Sequence, residues 1–321
     1  MDDVGIIITT YENNSLWEEA VASVIMQTIC KDITLVLSDD GTPNFNIEES
    51  YDRVIALGGS HLKNVIVRKN EVNVGTVKNI NMAAKEINCK YLMLLAGDDQ
   101  LYSETVIEDY IKIISQMPQY SAIFGQSLEF SADMSKPIEP IDSEDIYEKK
   151  HKLLKESGKH LFTSLAINCF VPSSGMMYKY EFLEKVGWFN EKYRLVEDWP
   201  MFLKMARDNY KIYYSKSIAV KHRTGGVSTA DLFANKQFLY QTDLVNIIVN
   251  EVLSNIDCIV ENKREYIKKM CVEKLAIYNL RYNFSGYSIY NKFTFLMNNS
   301  FFLIIIINKI LRRLRNERKI I

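Results

Sequence analysis

Several familiar signals are missing from this 321-residue chain. No two of its five cysteines, Cys30, Cys89, Cys169, Cys258 and Cys271, form a CxxC pair, and their number is odd. Neither a disulfide framework nor a zinc cluster is indicated, and the thiols read as reduced cysteines of a cytosolic protein. No stretch reaches the ~20 apolar residues that span a bilayer. The acidic start Met1-Asp2-Asp3 leads only into a strand-length apolar run, which is not a signal peptide, so the expected location is cytoplasmic. Charge of one sign is missing too: 39 Lys+Arg against 40 Asp+Glu leave a net charge of −1 and no reason to expect nucleic acid. The loop after the first apolar run, Thr10-Tyr11-Glu12-Asn13-Asn14, has no glycine, which argues against a GxGxxG dinucleotide site, and no P-loop occurs. Of the four histidines, His61, His151, His160 and His222, just His222 stands near a motif, so a zinc hydrolase is poorly supported.

What is present is a core. With 47% hydrophobic residues the chain can fold as one α/β domain of about 220 residues with a smaller helical annex. Val4–Thr9 reads as a buried strand, and the next helix carries Leu16, Trp17, Ala20 and Val24 on one face, with Ser15 as its cap. Strands are expected at Ile33–Leu37, Val65–Val67 and Tyr91–Leu95, and helices at Ile47–Leu57, Thr76–Ala84 and from Ser103 onward. That alternation predicts a mostly parallel central sheet with helices on both faces, and ligands beyond the carboxyl ends of its strands. From Gln126 to Ser174 the rhythm fails; Pro137, Pro140, Pro172 and many charges predict a surface excursion with one helix near Tyr147–Glu156. A strand at Gly175–Tyr178 and an amphipathic helix at Trp199–Arg207 follow. After Val227 the pattern is helical, over Asp231–Ile256 and Asn262–Tyr282.

Carboxylate pairs fall where strands end or helices begin. Asp39-Asp40 could accept from the N–H edge of a bound ring such as uracil, although strand-end aspartates are also common turn formers. Asp98-Asp99 follows a very apolar strand; two carboxylates there repel each other and invite a hard cation bridging to diphosphate, unless they merely cap the next helix. Glu197-Asp198 precedes Trp199-Pro200, so Asp198 is either a helix cap or a general base. Ser38-Asp39-Asp40-Gly41-Thr42 also comes close to the DxDGT of aspartate-nucleophile phosphatases, but serine holds the nucleophile position and the motif sits on the second strand.

In order, these pieces resemble the inverting family 2 glycosyltransferases of GT-A fold, over roughly Val4 to Ser228. The resemblance is carried by IIITTYENN, by Ser23-Val24-Ile25-Met26-Gln27-Thr28, by Asp39-Asp40-Gly41-Thr42, by Asn73-Val74-Gly75 with Asn79, by LLAGDD and by Glu197-Asp198-Trp199. It implies a nucleotide-sugar-binding and catalytic domain over residues 1–228 and a helical region over 229–321. It implies a hexosyl- or N-acetylhexosaminyl-transferase acting from a nucleoside diphosphate donor, UDP first, on a glycan or lipid-linked glycan in cell-surface polysaccharide synthesis. Thr9, Tyr11 and Asp39 would hold the nucleoside, Asp98 would approach the ribose or metal, Asp99 would bind Mn2+ or Mg2+, and Asp198 would be the base. His222 and Arg223 would lie near the diphosphate or metal, before a Gly-rich segment, Thr224 to Ser228, that suits a lid. One departure stands out: Ala96 occupies the first position of what is often DxDD in this family, leaving water and diphosphate to supply further ligands. A family member that had become an inactive binding module would be expected to have lost Asp99 or Asp198.

The tail has its own pattern. Phe301–Ile307 is apolar, and from Asn308 to Lys319 basic residues dominate, with Ile307, Ile310, Leu311 and Leu314 on one helical face. Residues 301–319 could therefore lie on an anionic membrane surface at the cytoplasmic face. The alternative is that the apolar run packs on the helical annex or on a second subunit, as in a homodimer.

Overall fold

The computed structural model describes residues 2–13, 16–138, 141–225, 235–279 and 282. In chain order the elements are β1 (Asp2–Thr10), α1 (Trp17–Ile25), β2 (Ile33–Asp39), α2 (Ile47–Ala56), β3 (Asn64–Lys69), α3 (Thr76–Ala84), β4 (Cys89–Ala96) and β5 (Gln100–Leu101). There follow α4 (Val106–Gln116), β6 (Tyr120–Phe130), α5 (Glu144–Glu156), α6 (Gly158–Ile167), β7 (Met177–Lys179), α7 (Tyr180–Val186), α8 (Asp198–Arg207) and β8 (Lys211–Arg223). Helices α9 (Asn235–Ile247) and α10 (Arg264–Tyr278) come last, joined by short π and 3-10 turns.

The strands form one sheet in the order β3-β2-β1-β4-β7-β6-β8-β5. The β3-β2-β1-β4 half is parallel throughout. Beyond β4 the sheet is mixed: β7 runs antiparallel to both β4 and β6, β6 and β8 are parallel, and β5 is antiparallel to β8. The run Ile6-Ile7-Ile8 shows why both faces must be covered. Alternate side chains leave a strand on opposite faces. Ile6 and Ile8 enter a core with Trp17, Ala20 and Val24 of α1 and Ile107 and Tyr110 of α4, whereas Ile7 enters the other core with Val77 and Ile80 of α3. Fully burying one such side chain is worth about 1.5–3 kcal/mol, so a slip of one residue in register would be prohibitive. Helices α5 to α8 and the C-terminal helices join the Ile7 side.

The expected α/β class with helices on both faces is therefore observed, as are the early strands and helices. The region beyond β4 needs correction. The segment read as a surface excursion begins inside the eleven-residue β6, and it contains both α5 and α6. The thirteen-residue β8 and the short β5 were not anticipated. β7 starts at Met177, because Gly175 takes a left-handed φ of +78° while its N–H donates to the Leu94 carbonyl, 2.7 Å. The helix expected from Ser103 starts at Val106. Ser15, the boundary at 228/229 and the tail at 301–319 lie outside the described residues. Among the described residues no helix is long and apolar enough to cross a membrane.

Candidate active site

The carboxyl ends of β1, β2 and β4 lie side by side, with Thr10 in register with Asp39 and Thr9 with Ala96. At the β2 end, the Asp39 carboxylate folds its own loop: Oδ1 accepts from the amides of Gly41 (3.0 Å) and Thr42 (2.7 Å), and Oδ2 from the Thr42 hydroxyl (2.6 Å). Burial pushes the Asp39 carboxyl up, and the Thr42 hydrogen bonds oppose it. Gly41 is required there: its φ is +86°, and a Cβ would stand 2.6 Å from the Val72 carbonyl carbon. Asp40 builds the neighbouring loop, accepting from Asn70 Nδ2 (2.8 Å) and the amides of Val74 (2.9 Å) and Gly75 (2.8 Å). Tyr11 sits beside these loops; burial first, then a hydrogen bond with Glu12 and the charges of Glu12, Asp40 and Asp39, raise its phenol.

The second half of the site is assembled from β4, β8 and the start of α8. Gly97 lets β4 end tightly against β1, since a Cβ would approach the Thr9 carbonyl to 2.6 Å. Asp99 is fully buried, and its carboxylate lies 3.0 and 3.2 Å from His222 Nδ1 while Oδ1 accepts the Arg223 amide at 3.0 Å. The hydrogen bond to Asp99 raises the His222 imidazole, against a lowering by burial. Asp98 is raised by burial and then by the charge of Asp99. The Arg223 guanidinium faces away from this corner: it donates to the Asp98 carbonyl (2.9 Å), to the Ala132 carbonyl and to Glu19 Oε2 (2.6 Å). It braces the Asp98-Asp99 turn from behind.

Asp198 opens α8 as its first residue, preceded by Glu197. Its Oδ1 accepts from the next amide, Trp199, at 2.7 Å, which is not the N2 or N3 contact of a capping aspartate. The Glu197 carboxylate accepts from the Ser173 hydroxyl. Burial foremost raises both carboxyls, and the proximity of Asp198 adds to the shift of Glu197. Nor do Asp98 and Asp99 cap the following helix, which starts several residues further on.

A cavity of about 340 Å3 brings these parts together. Thr9, Asp99, Asp198 and His222 line it, with Glu197, Ser173, Ser174, Ser127 and Thr76. Tyr11 and Asp39 lie beside it at the β1 and β2 ends, and neither they nor Asp98 and Arg223 line it. Ser127 and Ser173 were not singled out from sequence. The Pro-Ser-Ser-Gly run at 172–175 was the available signal for Ser173, whereas Ser127 depends on the unanticipated β6. Among the described residues no group of three or more His, Cys, Asp or Glu is arranged to hold a metal ion. The corner offers the Asp99 carboxylate, an oxygen donor of the kind a hard cation takes, with the His222 imidazole bonded to it.

Comparisons with known proteins agree with this architecture. The family model described as Glycosyl transferase family 2 matches residues 5–187. The O-antigen chain rhamnosyltransferase RfbN of Salmonella typhimurium is 26% identical over 231 residues, covering 68% of this chain and 66% of the relative, slightly under two thirds of its length. Among solved structures, S. aureus TarS 1-349 in complex with UDP-GlcNAc superposes with a TM-score of 0.56 at 15% identity, covering 90% of this chain and 77% of that one. A longer TarS structure is covered over 44% of its length. The mannosyltransferase PcManGT from Pyrobaculum calidifontis, in complex with GDP-Man and Mn2+, gives 0.54 at 11% identity, covering 94% and 81%. At these identities the structures show a shared GT-A fold, and the family model, which spans more than half of the chain, shows the lineage: this protein belongs to glycosyl transferase family 2.

Proposed function

We propose that this protein transfers a sugar from a nucleoside diphosphate donor to an acceptor hydroxyl, in a single displacement with inversion. The observation that carries the proposal is the meeting of Asp99, His222 and Asp198 in one cavity at the carboxyl ends of β1 and β4. Asp198 is the base. It is half-buried at the cavity wall, loss of water raises its proton affinity toward neutrality, and a carboxylate so placed can take the proton of an acceptor oxygen as that oxygen attacks. Thr9, Tyr11 and Asp39 hold the nucleoside at the adjoining strand ends, and Asp98 faces the ribose or the metal. Mn2+ or Mg2+ would be held by Asp99, with His222 near it, and when bound it would offset the charge that grows on the departing diphosphate. His222 and the Arg223-braced turn keep the Asp99 carboxylate in place for that task.

The donor is taken to be a UDP-sugar first, because an ionised Asp39 is an acceptor only and complements the N3–H of uracil. A complex with UDP-GlcNAc in one structural neighbour supports that order, and GDP-Man in another keeps guanosine in the comparison. The similarity to an O-antigen rhamnosyltransferase supports a glycan or lipid-linked glycan acceptor of cell-surface polysaccharide synthesis. The basic amphipathic pattern at 301–319 would hold the enzyme to the cytoplasmic face of an anionic membrane, where such an acceptor is carried. The test is a thermal-shift and transfer screen over UDP-, TDP- and GDP-sugars with Mn2+. A donor that raises Tm and yields an inverted glycoside supports the proposal; release of phosphate from simple esters without sugar transfer would overturn it.

A further inference from the structure

The last described part of the chain lies outside the segment matched by the family model, yet it grips the stretch that ends in Asp198. Asp243 of α9 is 4% exposed. A single oxygen, Oδ2, accepts from three consecutive amides: Arg194 at 2.8 Å, Leu195 at 2.6 Å and Val196 at 3.2 Å. Further along, Glu251 Oε1 accepts from the Tyr193 hydroxyl at 2.8 Å and lies 3.4 Å from Asn190 Nδ2. The same stretch is bound on its other side to the donor half. The Arg194 guanidinium donates to the carbonyl (2.8 Å) and side chain (2.6 Å) of Asn73, and the Arg194 carbonyl accepts the Val77 amide (3.2 Å). Gly75 permits that approach, because a Cβ would stand 2.5 Å from the Arg194 carbonyl oxygen.

The Val196 amide is buried and those of Arg194 and Leu195 are partly so; such donors need acceptors, and without Asp243 the three would have to turn toward solvent. The residues that follow them are Glu197 and Asp198, so a turn of this loop would redirect the Asp198 side chain. We infer that Asp243 is a positioning residue for the base, and that α9 is thereby part of the catalytic unit. This rests on Asp198 being the base. Tyr240 of α9, partly buried against the same core, agrees with that placement: after burial, the charge of Asp198 is the foremost influence raising its phenol.

The experiment compares full-length Asp243→Ala, Asp243→Asn and Asp243→Glu with Asp198→Asn. It uses whichever donor of the nucleotide-sugar panel the wild type accepts, UDP–Mn2+ calorimetry, and hydrogen exchange at residues 194–196. Asp243→Ala should lower kcat by roughly 10–100-fold, the scale of a small misplacement of a reacting group, with donor KM nearly unchanged. UDP affinity should hold while exchange at 194–196 accelerates. Asp243→Asn keeps an acceptor oxygen and should restore most of the rate and the protection. Asp243→Glu keeps the charge but displaces the oxygen, and should lose kcat without losing the fold, which decides the matter if the alanine variant does not fold. Normal turnover of Asp243→Ala, or of Asp243→Glu in its place, beside a crippled Asp198→Asn would overturn the positioning role alone. Normal turnover of Asp198→Asn would instead remove the base assignment on which the inference rests.

Discussion

The carboxylates at the end of β2 and those beside the cavity do different work. Asp39 and Asp40 each satisfy three donors of their own fold, and most of those donors are backbone amides of the loops that follow β2 and β3. They are organisers of the loops that carry them. Asp198 receives one amide from its immediate neighbour, and Asp99 is shared between an imidazole and one amide. Glu197 is buried, Asp198 is half-buried beside it, and both are pushed up, because little around them compensates the loss of water. The carboxylates of the donor half are thus compensated by their own loops, whereas the reaction half holds proton affinity in reserve.

Substitutions can break or sharpen this contrast. The largest effect is expected for Asp99→Ala, which should abolish metal-dependent transfer; a Mn2+ titration of the variant with the same response as wild type would refute its role. Asp198→Asn should cut turnover by ~10²-fold or more, the usual contribution of a positioned base, while calorimetry shows unchanged UDP–Mn2+ affinity. Asp40→Ala should act on the fold instead. With its carboxylate gone, the buried donors of Asn70, Val74 and Gly75 lose their acceptor, at a cost of about 2–3 kcal/mol in urea unfolding. A stable Asp40→Ala protein would show that this half is not built as described.

A smaller and more diagnostic effect is the pH dependence. Because the Glu197–Asp198 pair holds protons in the native state that the unfolded chain releases in the ordinary carboxylate range, the native state binds more protons in between. Its contribution to stability is full below that range and is lost as pH rises toward about 7. Turnover should move the other way over the same interval, since the base must be ionised. Opposed trends in urea midpoints and kcat between pH 5 and 8 are the expected result, and parallel trends would count against the pair. The smallest effect is reserved for Asp39→Ala, with nucleotide affinity weakened by roughly tenfold, or about 1.4 kcal/mol. An unchanged affinity would move the nucleoside elsewhere.

The sequence by itself determined the parallel half of the sheet and most of its motifs. In β1, β2 and β4 the apolar runs are buried on both faces, so their signal is nearly continuous, and each ends abruptly in polar residues at the site. Thr76–Ala84 was legible for the same reason, as its apolar spacing matches a helix lying on the sheet. Local pattern also exposed Asp39, Asp99 and Asp198 as residues at element ends. Tertiary structure alone decided the rest. β6 and β8 carry partly exposed stretches and register shifts, which blur the two-residue period, and β5 is too short to announce itself. Only the pairing of β8 with β5 carries His222 to Asp99 across 123 positions of sequence. The orientation of Arg223 and the hold of Asp243 on residues 194–196 were equally invisible, because a hydrogen-bond partner distant in the chain leaves no periodicity behind. Periodicity records which face of an element is buried; it does not record what that face meets.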